Sequence, residues 1–360
     1  MPNTEDDKLL LFLGSGFSAE FGLPTTQQLR DRLLETPGND PEVQRREQFI
    51  SKTIGEFWQE VFGWNHGCPT PSLEDHFTQI DLAANSGHHL GPHYGPRKLR
   101  AVRRMTIHRV LKLLDVRPAP SPLIDRFFRQ LTERVGLTIV TTNWDIITER
   151  SLEQHHHPFN YGPDAFDSRG SAIPKQGIPI LKLHGSGNWG YCDCCRNLIT
   201  FALDMGKAAV HLHLFLEPDD FRLFDGGSQV ADDLGDLHLR QCLACGGRWG
   251  SRVATFSYRK DLSIPVFQTI WDLARLGLQQ ASRWLFVGYS MPHADIEIRH
   301  LLKSAQLARM TPNNVSIEVV LKNDSAAADR YKRFFGLPDG SIFQDTLGNW
   351  IEERLSDYCR

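Results

Sequence analysis

Asn143, Asp145 and His184 are side chains able to orient a substrate, order water and move a proton, and each stands just past an apolar run. The run at residues 137–141 leads into Thr142-Asn143-Trp144-Asp145, and the run at 178–183 leads into His184-Gly185-Ser186. A third run, residues 8–13, opens onto Gly14-Ser15-Gly16-Phe17-Ser18-Ala19, with Gly22 and Pro24 following. Glycines after a strand allow a tight turn and close backbone approach to a phosphate at a helix start. A histidine with a near-neutral pKa can act as a general base. In α/β proteins ligands bind outside the carboxyl ends of parallel strands, so these segments should meet at one crevice. Asn143 or Asp145 could instead serve as a helix cap, and a strand-end histidine can be structural. The combination points to binding a dinucleotide and reacting at its ribose.

A hydride-transferring dehydrogenase fits less well. It calls for a second strand ending in an acid about 20 residues after the glycine turn. Here Arg30-Asp31-Arg32-Leu33-Leu34-Glu35 reads as helix.

The elements that must position these groups alternate between strand and helix. Residues 284–287 and 315–321 read as strands, and 267–282, 295–308 and 325–335 as helices. This order predicts an α/β fold with a doubly wound, Rossmann-like parallel sheet. Its core should comprise residues 8–40, 121–191 and 249–336. Residues 41–120 carry Phe49, Ile50, Ile54, Phe57, Trp58 and Val61 at helical spacing, and predict an inserted helical module. Residues 337–360 are expected to be a C-terminal helical extension.

Residues 192–248 differ in kind. Cys192 with Cys195, and Cys242 with Cys245, form two Cys-x-x-Cys hooks that fit a four-thiolate zinc site. The gap between hooks exceeds the roughly 15–20 residues of compact ribbons. Cys194, His211, His213 and His238 are alternative ligands; Cys68 and Cys359 stand apart as unpaired thiols. A closed thiolate set leaves no open position, so the zinc is expected to be structural.

The 360 residues carry a net charge of −3, against a whole-surface grip on nucleic acid. The basic run Arg97, Lys98, Arg100, Arg103 and Arg104 reads as a solvated helix face. His155-His156-His157 reads as a solvated loop. No secretory signal or membrane span is evident, which predicts a cytoplasmic protein.

The glycine turn with Gly22-Leu23-Pro24, then Thr142-Asn143-Trp144-Asp145, then His184-Gly185-Ser186, then the four-cysteine module, resemble the ordered motifs of the sirtuin family. Gly288-Tyr289-Ser290-Met291-Pro292 with Asp295 resembles its late Gly-x-Ser turn, in the form seen in bacterial sirtuin-like proteins. The resemblance implies that Gly14, Ser15, Gly16, Ser18 and Pro24 hold the NAD diphosphate. It implies that Thr142, Asn143 and Asp145 face the nicotinamide ribose and nicotinamide pocket, and that His184 is a general base. Gly288, Ser290 and Asp295 would line the adenosine side.

Two departures bear on the reaction. Deacylases of the family follow the proline with an acid, an aromatic and an arginine, whereas Pro24 is followed by Thr25-Thr26-Gln27-Gln28. Where the acyl-peptide strand should follow the zinc module, Ser263-Ile264-Pro265-Val266-Phe267-Gln268 runs into a helix. Both resemble the branch that cleaves NAD itself, often as an effector of bacterial antiphage defence. The leading expectation is an NAD glycohydrolase with NAD as substrate and structural zinc, triggered by homo-oligomerisation or by a separately encoded partner such as an ATPase. A deacylase or ADP-ribosyltransferase, and a non-catalytic NAD- or ADP-ribose-sensing module, are the competing readings.

Overall fold

The computed structural model describes residues 8–36, 41–116, 119, 121–133, 136–167, 170–201, 216–233, 241–247, 249–250, 253–309 and 315–358. Strand β1 (Leu9–Leu13) buries all five side chains. Such a run suits a strand covered on both faces, where each large apolar side chain contributes about 1.5–3 kcal/mol. Helices α1 (Ser15–Ala19) and α2 (Thr26–Arg32) follow. A helical block comes next: α3 (Pro41–Phe62), α4 (Leu73–Ser86) and α5 (Pro96–Leu114). The chain re-enters the sheet through α6 (Pro122–Thr132) and β2 (Thr138–Thr141), then α7 (Ile147–Gln154), β3 (Phe159–Asn160), β4 (Ala165–Asp167) and β5 (Ile178–Lys182).

Beyond β5 lie β6 (Trp189–Cys192), β7 (Leu198–Thr200), the short helices α8 (Pro218–Arg222) and α9 (Ser228–Asp233), and β8 (Trp249–Gly250). The last third is α10 (Pro265–Gln280), β9 (Arg283–Val287), α11 (Ile296–Leu307), β10 (Ser316–Val320), α12 (Ser325–Phe335), β11 (Ile342–Phe343) and α13 (Leu347–Glu353). The main sheet has seven strands in the order β11-β10-β9-β1-β2-β5-β3, with every pairing parallel. From β1 the chain builds outward through β2 and β5, then crosses to β9 on the other side. The strand order therefore reverses between β1 and β9, and this switch point is where a ligand crevice opens.

A second, four-stranded sheet, β4-β7-β6-β8, carries the cysteine hooks. The helical block has a polar interior of its own. Glu47, fully buried, accepts from His108 and sits against Arg109 and Lys112. Burial alone would raise its pKa, but those cationic neighbours hold it well below the usual carboxylate range.

Some expectations are revised. The C-terminal segment is not helix alone: Ile342–Phe343 pairs in parallel with Val319 and Val320 and becomes the sheet's edge strand. Trp350 on α13 then donates to Glu318 of β10 at 2.7 Å, which ties the tail back to the sheet. The basic run on α5 is largely spent internally. Arg103 bonds Asp81, Arg104 forks onto Asp220, and Arg100 donates to the Ala84 carbonyl. His155 of the histidine run lies 2.7 Å from Asp125, and His157 bonds Thr132. No helix among the described residues is long and apolar enough to cross a membrane.

Candidate active site

The loop after β1 and the loop after β9 are locked together. Gly14 N–H donates to the Val287 carbonyl at 3.0 Å and Gly16 N–H to the Gly288 carbonyl at 2.9 Å. A Cβ on Gly14 would lie 2.5 Å from Gly288 O, and one on Gly16 2.8 Å from Gly288 Cα. Gly288 itself, at φ +63°, would place a Cβ 2.1 Å from the backbone nitrogen of Phe17. The glycines are required here because two backbones touch. The neighbouring loop after β9 makes a close backbone approach to this turn.

Around this junction the segments after β2 and β5 converge on one cleft, open to solvent, with about 890 Å³ of empty space. Ser15, Ser18, Pro24, Thr142, Asn143, Asp145, His184, Gly288, Ser290 and Asp295 all line it; Gly14 and Gly16 lie beneath it at the loop junction. Asn143 is fixed by its amide nitrogen, which donates to Gly14 O at 2.9 Å and to Ser18 Oγ at 3.0 Å. Only an NH2 can donate to a carbonyl, so the flip is settled and Oδ1 is left toward the cleft. Ser18 passes its own hydrogen to Asp145 Oδ2 at 2.7 Å, while Asp145 Oδ1 accepts from Ile147 N–H at 3.1 Å. Ser18 thus joins the glycine turn to the Asn143–Asp145 loop and has no hydrogen to spare for a phosphate. Ser15 has no protein partner among the described residues and is free to offer one.

His184 is 7% exposed. One ring nitrogen is held by the Thr142 backbone, and Nε2 is buried with no partner. Burial drops its pKa to about 4; Asp295 pulls it up, Lys260 pushes it down, and the Thr142 bond favours the charged form. The imidazole is therefore neutral near pH 7, and its Nε2 lone pair is left unfilled by protein in a residue that lines the cleft. Lys182, two residues before His184, donates to the Asp145 carbonyl at 2.5 Å and to Glu149 at 2.8 Å, so β5 is tied to the Asp145 loop by a hydrogen bond and to α7 by a buried ion pair. Trp271 of α10 donates to the Leu183 carbonyl at 3.0 Å, fixing the backbone next to His184.

Asp295 lines the cleft with both carboxylate oxygens engaged by protein. It accepts from Lys260 at 3.1 Å and from the Tyr289 hydroxyl at 2.9 Å. The Ser290 carbonyl takes two hydrogen bonds from Arg330, at 3.0 and 2.8 Å. Met291 follows at φ 52°, a left-handed conformation uncommon for a side-chain-bearing residue.

The chain is similar to solved Sir2 structures. A structure solved for the mechanism and regulation of Sir2 enzymes is 14% identical with a TM-score of 0.46, the match covering 99% of this chain and 94% of that one. A Sir2–p53 peptide–NAD+ complex is 12% identical at TM-score 0.44, covering 98% and 93%. A Sir2 homologue mutant with ADP ribose is 16% identical at 0.43, covering 99% and 93%. No protein-family model and no curated protein matches the chain. Identity and TM-score are both low, so the chemistry rests on the cleft's own residues.

Several lining residues carry no sequence motif. Glu74 and Leu114 come from the helical block, Leu29 from α2, and Phe256 from the segment before α10. Phe256 packs on Trp144 at 5.1 Å between ring centroids and forms the cleft wall. The sequence hinted at Glu74 only through the Ser72 helix start, which does cap α4 by accepting from Asp75 N–H.

The cysteine hooks close on each other. The Sγ atoms of Cys192, Cys195, Cys242 and Cys245 all lie within 4.8 Å of one another, and Cys192–Cys245 and Cys195–Cys242 are each 3.5 Å apart. Tetrahedral zinc with bonds of about 2.3 Å sets S···S near about 3.8 Å, so the quartet fits the ion. A Cβ on Gly247 would fall 3.2 Å from Cys245 Sγ and 3.3 Å from Cys192 Sγ, so glycine keeps the cradle clear. Cys194 is exposed and outside the quartet. His211, His213, His238 and Cys359 lie outside the described residues.

Proposed function

We propose that this chain is an NAD glycohydrolase, which converts NAD and water to nicotinamide, ADP-ribose and a proton. The observation that carries the reading is the buried, unpartnered Nε2 of His184, which shares one cleft with the free amide oxygen of Asn143. The bond from nicotinamide nitrogen to ribose C1′ breaks, and its electron pair leaves on nicotinamide. Positive charge develops on the ribosyl carbon, and a water oxygen bonds to C1′. Asn143 Oδ1 accepts from a ribose hydroxyl or from that water and so orders it. His184 Nε2 takes the water's proton and releases it to solvent. Asp145 holds the Asn143 loop and borders the nicotinamide end. Ser15 and the Gly14–Ser18 and Gly288–Ser290 loops flank the diphosphate, with Pro24, Thr142 and Asp295 completing the walls.

Two observations favour water over a polypeptide co-substrate. The segment after the zinc module is occupied by α4: Thr255 bonds Asp81 at 2.7 Å, and Tyr258 N–H donates to Thr78 at 2.9 Å. Past Pro24, Thr25 and Gln28 form a reciprocal capping box that starts α2, so these residues build a helix end. Zinc on the four thiolates would be structural. The motif resemblance also supports a cytoplasmic antiphage effector that depletes NAD, triggered by self-assembly or by a separate partner such as an ATPase.

Purified chain incubated with NAD should release nicotinamide and ADP-ribose in equal amounts without any peptide. Release that requires an acylated peptide and yields O-acyl-ADP-ribose would move the protein to the deacylases.

A further inference from the structure

We propose that Glu74 is the carboxylate that meets the positively charged end of the substrate, so that the helical block helps to choose which dinucleotide the cleft accepts. The inference rests on the NAD reading above and names a specificity residue for it.

Three acidic side chains line the cleft: Glu74, Asp145 and Asp295. Asp145 has each oxygen engaged, by Ser18 Oγ and by Ile147 N–H. Asp295 likewise, by Lys260 and by the Tyr289 hydroxyl. Glu74 makes no hydrogen bond or ion pair among the described residues. It is the cleft carboxylate that no protein donor or cation engages among the described residues, and its charge is left for a ligand.

Its position is well fixed. Glu74 occupies the first turn of α4, behind the Ser72 cap. About one turn further, Phe77 packs on Phe256 at 6.1 Å and Thr78 Oγ1 accepts from Tyr258 N–H. Phe256 in turn packs on Trp144. Helix α4 is thereby set against the side of the cleft that carries Trp144, Asp145 and His184.

An oxidised nicotinamide dinucleotide carries a pyridinium cation at one end and two phosphate anions in the middle. The reduced form has nearly the same shape and a neutral ring. A carboxylate with free lone pairs attracts the pyridinium, and still more the charge that moves onto the ribosyl carbon as the bond breaks. It gives no such advantage to the neutral ring. Glu74 therefore selects the oxidised form. An acid at a helix start also complements the helix dipole, worth about 0.3–1 kcal/mol, but that role has no influence on ligand choice.

The test measures calorimetric affinities for NAD+, NADH and ADP-ribose on the full chain, with melting curves, for wild type, Glu74→Gln and Asp75→Asn. Wild type should prefer NAD+ over NADH by roughly 10-fold, a gap typical of one charge contact near a surface. Glu74→Gln should erase most of that preference by weakening NAD+, while ADP-ribose, which lacks the pyridinium, binds at least as tightly as to wild type. Asp75→Asn removes an exposed charge one residue away and should keep the preference. A folded Glu74→Gln protein with the wild-type NAD+/NADH ratio would overturn the inference, as would Asp75→Asn shifting the ratio equally. Wild type binding none of the three ligands would instead sink the NAD reading itself, and this inference with it.

Discussion

His76 in the helical block and His184 at the end of β5 are both buried, at 0% and 7% exposure. Burial lowers both pKa values, His76 to about 3 and His184 to about 4. Their surroundings differ. His76 accepts from the Trp58 indole at 2.9 Å and meets Thr106 Oγ1 at 2.9 Å with its other nitrogen, so its hydrogen-bonding capacity is filled by protein. His184, which lines the cleft, spends one nitrogen on Thr142 and leaves the other without a protein partner. Burial and a depressed pKa are common to the histidine that holds a core and to the one proposed as the base. The unfilled lone pair separates them.

The largest effect on turnover per folded molecule should come from His184→Ala and from Asn143→Ala, each about 100-fold or more in nicotinamide release. NAD binding should change only modestly, while melting falls through the lost Thr142 bond of His184 and the lost Gly14 and Ser18 bonds of Asn143, each worth about 1 kcal/mol, which is why turnover is read per folded molecule. Full turnover in a folded His184→Ala protein would place His184 beside His76 as a structural residue.

Next in size is pH. A base with a folded pKa near 4 stays neutral through mildly acid solution, so initial rates should hold to about pH 5 and fall below about pH 4. Stability should respond earlier. Both folded pKa values lie below the ordinary 6.5, so between those limits the unfolded chain binds more protons. The contribution is complete above about pH 6.5 and is lost as pH falls toward 4 and then 3, by up to roughly 3 kcal/mol for His184 and roughly 5 kcal/mol for His76. Melting curves and initial rates taken over the same pH series should therefore separate. An activity limb centred near 6.5 would mean that His184 is not held as described.

His76→Phe should reverse the pattern of His184→Ala. It leaves the Trp58 N–H buried without an acceptor, costing about 1–3 kcal/mol in denaturant unfolding, while turnover of the folded fraction stays within about 2-fold. Cys242→Ala should affect turnover least. Metal analysis should fall from about one zinc per chain, and the melting temperature should drop, with catalysis by surviving folded protein intact. Folded wild type without zinc would remove the metal from the account.

The strands and the convergence of three loops were legible because buried parallel strands leave apolar runs, and Asn143 and His184 follow those runs directly. The hooks were legible for the same local reason: ligand spacing is written in the chain. Glu74, Phe256 and Lys260 were not. Glu74 and Phe256 line the cleft and Lys260 backs its Asp295, through contacts between distant segments, Phe77 on Phe256 and Lys260 on Asp295, which no local pattern encodes. Ile342–Phe343 was missed as a strand because two residues carry too little alternation to register. The glycine turn was legible as a turn, but what touches it was not, since its partner Gly288 lies near the far end of the sequence.

That last separation governs when the cleft can exist during synthesis. Strand β1 leaves the ribosome well before β9, yet it pairs with β9, and Gly14 and Gly16 close onto Val287 and Gly288. A nascent chain that has exposed Asn143 and His184 still lacks the wall that completes the site. If the molecule destroys a dinucleotide that its own translating cell depends on, the later arrival of Gly288 makes every copy that stops short of β9 and its loop harmless.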